Sequence, residues 1–250
     1  MNKDSTYFSD SYVKEFECDV NNKMKLSSLM KVIQKVGSDQ LNSLGITYGK
    51  MYATGVVFVL SKIGLNIYKM PECGDKYLLR TTPQKTHKSS FLRYTAMFNS
   101  NGEMIAECQT AWVIINPRER KILRPAEFKF NLPVDESSTI GTKILETRIK
   151  TAEKAKPVGV KEVRYSDLDI NRHMNNCVYG DVIMDFLPIE FTAGREIKNL
   201  MIHYQNEACL GEKIEIKTDR AADNTFYVGG KKGEVKCFEA MITFKDEENN

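Results

Sequence analysis

Histidine is scarce in this chain: His87, His173 and His203 are the only three in 250 residues. None belongs to an HxxxH pair, and the six cysteines (18, 73, 108, 177, 209 and 237) form no CxxC pair. Neither spacing offers a structural zinc site, so no metal is expected. Long apolar runs are missing too. The greasiest stretch, GVVFVL from Gly55, ends within two residues at Lys62 and is far too short to span a bilayer. The opening MNKDSTYFSD lacks the apolar core of an export signal. Charge of one sign is not in excess: 36 basic against 33 acidic residues leave +3, too little to argue for nucleic acid. These absences predict a soluble cytoplasmic protein with free thiols and with neither a membrane nor a nucleic-acid partner. VGGKKGE, from Val228, has glycines and lysines but not the spacing or strand-to-helix setting of a phosphate loop, so it reads as a glycine turn.

Present instead is a dense polar cluster. Asp167, Asp169, Asn171, His173, Asn175 and Asn176 fall within ten positions, and an apolar stretch with helical spacing follows, from Met174 to Leu187. Asp169, Asn171 and His173 stand at i, i+2 and i+4, which in extended chain places them on one face. Where a strand hands over to a helix, unpaired N–H groups and the helix dipole favour developing negative charge. Turn formation and capping are the competing roles for Asp169, Asn171, Asn175 and Asn176. Cys177 reads as a small buried thiol, and His203 as an ordinary strand histidine.

The same pattern occurs earlier. VKEFECDVNNKM from Val13 aligns with VRYSDLDINRHM from Val163 at a constant offset of 150, pairing Asp19 with Asp169, Asn21 with Asn171 and Met24 with Met174. A second match sets LNIYKMPECGDKYLLRTT from Leu65 against MIHYQNEACLGEKIEIKT from Met201, with one extra residue in the latter. Two matches in the same order imply two related halves. Lys23 stands where His173 stands, so His173 belongs to the second half alone.

Each half reads as strand, helix, then antiparallel strands. The first has a strand from Tyr7 to Asp19, and Leu26, Leu29, Met30, Ile33, Leu41 and Leu44 at helical spacing before a stop at Gly45. Strands follow at Val56–Tyr68, Lys76–Thr82, Phe91–Phe98 and Met104–Asn116, with Asn101-Gly102 as a hairpin turn. Prolines 117, 125, 133 and 157 and the run Asp135 to Ser138 mark the connection, with a short ordered piece at Ile144–Lys150. The second half has a strand to Asp167, a helix over Met174–Leu187, and strands at Ile197–Asn206, Lys213–Thr218, Thr225–Val228 and Val235–Phe244. Gly229, Gly230 and Gly233 are read as its hairpin turn. A helix burying its apolar face on the sheet that follows makes an α+β fold.

YSDLDINRHMNN, AWVIINPRERKILRP from Ala111 and HYQNEACLGEKIEI from His203 resemble segments of the acyl-acyl-carrier-protein thioesterases, and the likeness spans nearly the whole chain. The family resemblance implies two tandem hotdog domains, each a long helix wrapped by an antiparallel sheet. It implies an acyl-binding N-terminal hotdog at 1–132, a linker at 133–157 and a catalytic C-terminal hotdog at 158–250. Without a plant-type transit peptide the chain looks like a bacterial-type member. The activity implied is hydrolysis of the thioester between a fatty acyl chain and acyl carrier protein, releasing free fatty acid without a cofactor. The alternatives are an acyl-CoA thioesterase and a non-catalytic acyl-binding hotdog protein.

By the same resemblance Asp169, Asn171 and His173 fall on the family's DxNxH positions and Glu207 on its catalytic glutamate. Glu207 would be the base toward water, Asn171 and N–H groups near Met174 would polarise the carbonyl, His173 would orient water or shuttle a proton, and Asp169 would fix His173 or nearby backbone. The roles of Glu207 and His173 are interchangeable at this level. Many members carry a cysteine directly after the glutamate. Here Ala208 stands there and Cys209 is displaced by one, which on a strand turns the thiol to the opposite face. Candidate acyl-chain contacts are Ile46, Met51, Val56, Phe58 and Trp112. Lys85, Lys88, Arg93, Arg118, Arg120, Lys121 and Arg124 are candidate contacts for the acidic carrier protein. Two hotdogs in one chain satisfy their own pairing, and a homodimer stays open.

Overall fold

The computed structural model describes residues 5–135, 144–146, 149 and 154–246. The first half runs through β1 (Tyr7–Tyr12), α1 (Leu26–Ser43), α2 (Tyr48–Ala53), β2 (Val57–Ile67), β3 (Lys76–His87), β4 (Ser90–Asn99), β5 (Met104–Asn116) and the short β6 (Lys121–Ile122). The second runs through β7 (Lys156–Glu162), α3 (Val178–Asp185), α4 (Ile189–Thr192), β8 (Ile197–Tyr204), β9 (Lys213–Ala222), β10 (Thr225–Lys232) and β11 (Val235–Phe244). The class is α+β.

The strands join one antiparallel sheet in the order β1-β3-β4-β5-β2-β8-β11-β10-β9-β7, with β6 on β5. The halves meet at the β2–β8 seam, where the register runs from Lys62↔His203 to Asn66↔Asn199. Helices α1 and α3 pack against each other as well as on the sheet. Gly180 makes that approach close, because a Cβ there would sit 3.2 Å from the Ser27 nitrogen and 3.0 Å from the Met30 sulfur. One buried apolar cluster therefore passes through both halves, from Leu29 and Ile33 of α1 to Ile183 of α3 and Phe238 of β11.

Local sequence explains most boundaries. In α1 the buried Leu26, Leu29, Met30, Ile33, Val36, Gly37 and Gln40 form one face at helical spacing. The helix ends where Gly45 turns left-handed (φ +71°), and the Ile46 N–H closes back on the Leu41 carbonyl at 2.9 Å. Gly102 (φ +80°) makes the hairpin between β4 and β5 at the expected Asn101-Gly102.

Several expectations shift. The strands read as Tyr7–Asp19 and up to Asp167 stop at Tyr12 and Glu162, and single 3₁₀ turns at Glu15–Glu17 and Tyr165–Asp167 take over. The helix read over Met174–Leu187 spans only Val178–Asp185. Its first residues are drawn away: the Met174 N–H donates to the Ala208 carbonyl (2.8 Å), and Asn175 Oδ1 accepts from the Cys177 N–H (2.9 Å). Gly229 and Gly230 lie inside β10 rather than in its turn. A Cβ on Gly230 would come within 2.3 Å of the buried Phe238 ring, so the glycine makes room for that side chain. Gly233 (φ +56°) alone serves the hairpin. Of Ile144–Lys150, Ile144–Glu146 forms a 3₁₀ turn with Ile144 over Gly64 of β2, while Lys150 lies outside the described residues, as do Glu136, Ser137 and Ser138.

Candidate functional site

The DxNxH segment is a tight turn, not an extended strand. The Asp169 N–H donates to the His173 carbonyl (2.9 Å) and the Arg172 N–H to the Asp169 carbonyl (3.0 Å), with Arg172 left-handed at φ +66°. Asp169 Oδ1 accepts from the N–H groups of Asn171 (2.8 Å) and His173 (3.4 Å). Asp169 thus holds the backbone from which the other two side chains project; these contacts are to main chain, not to the His173 ring. The Met174 N–H, expected among the groups facing a carbonyl, is occupied by Ala208.

Glu207 lies in the loop after β8, whose last residue is Tyr204. The loop is fixed where the N–H groups of Gln205 and Asn206 converge on the Cys237 carbonyl (2.9 and 3.2 Å). From there Glu207 Oε2 meets His173 Nε2 at 2.9 Å, and Glu207 Oε1 receives the guanidinium of Arg120. A second Arg120 nitrogen stands 3.5 Å from His173 Nε2. His173 is mostly covered, with 23% of its side chain exposed, while Glu207 keeps 37% open to water.

Three participants were not assigned to this site from sequence. Tyr48, the first residue of α2, donates its hydroxyl to Asn171 Oδ1 at 2.7 Å. That bond orients the amide, leaving Nδ2 as the donor of Asn171. Arg120, read as a carrier contact within a basic run, instead reaches across from the β5–β6 turn to Glu207. Cys209, which strand alternation puts on the opposite face, is the third. Residues 205–209 are not a regular strand, and among the described residues their ladder contact is the isolated bridge His173↔Cys209. The thiol consequently stands with the His173 and Glu207 ligand atoms, all within 4.8 Å of one another. Burial, then the carboxylates of Glu212 and Glu207, push the Cys209 thiol up, so it is a neutral thiol rather than a ready thiolate. Tyr48 carries no sequence signal; Arg120 and Cys209 were visible only as members of a basic run and of a displaced motif.

The remaining candidates scatter. Asn175 Oδ1 accepts from the N–H of Cys177, the residue just before α3, and the Asn176 carbonyl accepts from the Tyr204 hydroxyl (3.0 Å). Cys177 is buried, takes a hydrogen bond from Gln34 Nε2 (3.2 Å), and has its thiol pushed up to about 12 by burial. Phe58 and Trp112 join Phe91 and Phe128 in an aromatic group of edge-on and tilted ring contacts. Ile46, Met51 and Val56 are buried around α2. Arg93 is no carrier contact. Its guanidinium is buried between α1 and the sheet, donating to Gln40 Oε1 and Thr81 Oγ1, and burial pulls its pKa to about 10. A cavity of about 300 Å³ opens at the other turn, beside Asn21, Lys23, Met24, Met70 and Met184.

A turn of this geometry, with His173 and Glu207 in contact, sits in a chain that matches two family models. Residues 5–128 match the acyl-ACP thioesterase N-terminal domain and residues 150–249 the C-terminal domain. The chain belongs to the acyl-ACP thioesterase family. It is 23% identical over 220 residues to the chloroplastic acyl-[acyl-carrier-protein] hydrolase FATB2 of Cuphea viscosissima, covering 82% of this chain and 53% of that protein. It is 22% identical over 254 residues to the chloroplastic oleoyl-acyl carrier protein thioesterase 1 of Arabidopsis thaliana, covering 93% and 68%. The chain thus spans about half the length of several curated relatives it matches. In fold it is similar to the acyl-ACP thioesterase of Bacteroides thetaiotaomicron (TM-score 0.87, 22% identity, 98% of this chain and 100% of that one). It is also similar to the 12:0-ACP thioesterase of Umbellularia californica (TM-score 0.80, 16% identity, 96% and 97%). No helix among the described residues is long and apolar enough to cross a membrane.

Proposed function

We propose that this acyl-ACP thioesterase family member hydrolyses the thioester of a fatty acyl chain carried on acyl carrier protein, in the cytoplasm, and releases free fatty acid. The observation that carries the reading is the 2.9 Å contact between His173 Nε2 and Glu207 Oε2, set beside the oriented amide of Asn171 in a chain of this family.

Hydrolysis needs a water made nucleophilic, charge stabilisation on the carbonyl oxygen, and a proton for the leaving sulfur. Glu207, solvent-accessible on one side, takes the proton from water. His173, in contact with Glu207, hands a proton on to the departing thiolate; an imidazole both accepts and donates near neutral pH. Asn171 Nδ2, whose orientation Tyr48 fixes, donates to the carbonyl oxygen. Asp169 positions both through the backbone. The protonated state of Cys209 argues against a thiol nucleophile.

The halves are read as tandem hotdogs, 1–132 holding the acyl chain and 158–250 the chemistry, joined by 133–157. The aromatic group around Phe58 and Trp112 and the buried Ile46, Met51 and Val56 supply apolar surface for that chain. The exposed Arg118, Lys121 and Arg124 supply positive charge for the acidic carrier.

The test is release of free thiol and fatty acid from acyl-carrier and acyl-CoA substrates across a chain-length series. Higher kcat/KM on acyl-carrier substrate, falling as salt is raised, is expected. A preference for acyl-CoA moves the reading to an acyl-CoA thioesterase, and no turnover on either moves it to an acyl-binding protein.

A further inference from the structure

Three different metal-binding donors converge where the chemistry is placed: an imidazole nitrogen of His173, a carboxylate oxygen of Glu207 and the sulfur of Cys209. Their ligand atoms lie within 4.8 Å of one another, on a turn and a loop bridged through His173↔Cys209. We propose that His173, Glu207 and Cys209 form a binding site for a thiophilic divalent cation of the zinc class, and that its occupation shuts off thioester hydrolysis. The second clause rests on the reading of Glu207 and His173 as the proton-handling pair; the first does not.

The donor set selects the class of ion. Calcium and magnesium demand oxygen-rich shells, whereas nitrogen, sulfur and one carboxylate suit zinc. Donors on a tetrahedral zinc lie roughly 3.3–3.7 Å apart, given bonds of about 2.0–2.3 Å. Binding therefore requires the 2.9 Å His173–Glu207 contact to open slightly and the three ligand atoms, now within 4.8 Å of one another, to settle at that spacing. Three protein donors leave the fourth position to water.

Two neighbours bear on the site. Glu212 Oε2 accepts the Cys209 N–H at 2.8 Å and fixes the backbone under the thiol, as outer partners of metal sites do. Arg120 is the competitor. Its guanidinium occupies Glu207, yet its side chain is 64% exposed at a turn and free to swing into solvent. When the ion binds, the Cys209 S–H bond breaks, the sulfur–metal bond forms, and the proton goes to solvent; nothing is oxidised or reduced. The ion then takes the Nε2 lone pair of His173 and draws charge from the Glu207 carboxylate, so the pair no longer passes a proton and the carboxylate is a much weaker base toward water.

The test is titration of the full chain with cobalt(II), read by the thiolate-to-cobalt charge-transfer absorption, and with zinc, read by calorimetry. The wild type binds one ion per chain with the charge-transfer band. Cys209→Ser abolishes the band and weakens zinc more than about tenfold, while Arg120→Ala tightens it. The contacting pair Cys18 and Cys73 is the rival thiol source, so a C18S/C73S variant must keep the band. Loss of the band in C18S/C73S, its survival in Cys209→Ser, or no binding at all overturns the site. On acyl-carrier substrate, zinc stops wild-type turnover, a chelator restores it, and Cys209→Ser resists zinc. Turnover that continues in the zinc-loaded wild type overturns the shut-off. A chain without thioesterase activity still reports its metal through the band, so the two readings fail separately.

Discussion

In the turn at residues 19–24, Asp19 Oδ1 accepts from the N–H groups of Asn21 (2.8 Å) and Lys23 (3.1 Å), and Asn22 is left-handed at φ +62°. Asp169, Asn171, His173 and Arg172 repeat that geometry. Even the cross-half contacts correspond. Asn21 Nδ2 donates to the Ala193 carbonyl at the end of α4 (2.9 Å), and Asn171 receives the Tyr48 hydroxyl at the start of α2 (2.7 Å). Backbone bonds give the loop counterparts: Met24 N–H to Pro71 matches Met174 N–H to Ala208, and Lys23↔Glu72 matches His173↔Cys209. Met70 therefore stands where Glu207 stands. One scaffold presents Lys23, Met70 and Glu72 on one side and His173, Glu207 and Cys209 on the other. Lys23 is locked between Glu72 (2.6 Å) and Glu196 (3.4 Å), a donor-only ammonium with no lone pair to take up a proton at neutral pH. The shared part is architecture; the difference is that the second turn carries an imidazole in contact with a carboxylate, on which the proposed proton transfer rests.

The largest effect should come from breaking the second turn's pair. Glu207→Gln and His173→Ala each lower kcat on acyl-carrier substrate by about 10²–10⁴-fold, the usual worth of general acid–base groups. Lys23→Met, the counterpart change, leaves kcat at the wild-type value. Steady-state kinetics on folded variants decides it: if Glu207→Gln keeps near-normal turnover while His173→Ala loses it, the base is not Glu207. If Lys23→Met costs as much as either, the division of labour between the turns is wrong.

A smaller effect is expected at the cross-half contacts. Tyr48→Phe removes the hydroxyl that orients the Asn171 amide and should lower kcat by about tenfold with little change in KM, as loss of a supporting partner does. Asn21→Ala loses only the bond to Ala193, worth about 1 kcal/mol of stability, and leaves kcat alone. A rise in KM at unchanged kcat for Tyr48→Phe would make Tyr48 a binding contact instead of a positioning one.

The legibility of all this in the sequence follows range. The α1 face, strands β2 and β5 and the Asn101-Gly102 hairpin are local patterns, and the chain shows them. The turn was legible through its repeat, which separated Asp169 from His173 before any distance was known. What failed depended on tertiary contacts. The start of α3 is spent on Ala208 and Asn175, Gly230 lies under Phe238 instead of in a turn, and Arg93 is swallowed beneath α1. Tyr48 and Arg120 join the site across the interface between halves, at sequence separations no periodicity reports. Cys209 was misplaced because alternation was applied to a loop.

The smallest effect tests the first turn as a structural joint. Burial alone would raise the Glu196 carboxyl, but hydrogen bonds and charge from Lys245 (2.6 Å) and Lys23 outweigh it and hold the pKa below the usual 4.5. A folded-state pKa lower than the unfolded one means the unfolded chain binds the proton more readily. The stabilisation is therefore fully present above about pH 4.5 and is lost as pH falls through the depressed folded value. Lys23 runs the other way: its hydrogen bond from the ammonium to Glu72 leads over the opposing cost of burial and raises its pKa above 10.5. Its contribution is present at neutral pH and lost only in strong alkali. Glu196→Gln should flatten the acid limb of a melting-temperature profile below pH 4.5 while leaving kcat at neutral pH unchanged. An acid limb as steep as the wild type's would mean that the joint's charges do not couple the halves, and that the first turn is held by Asp19 and Asn21 alone.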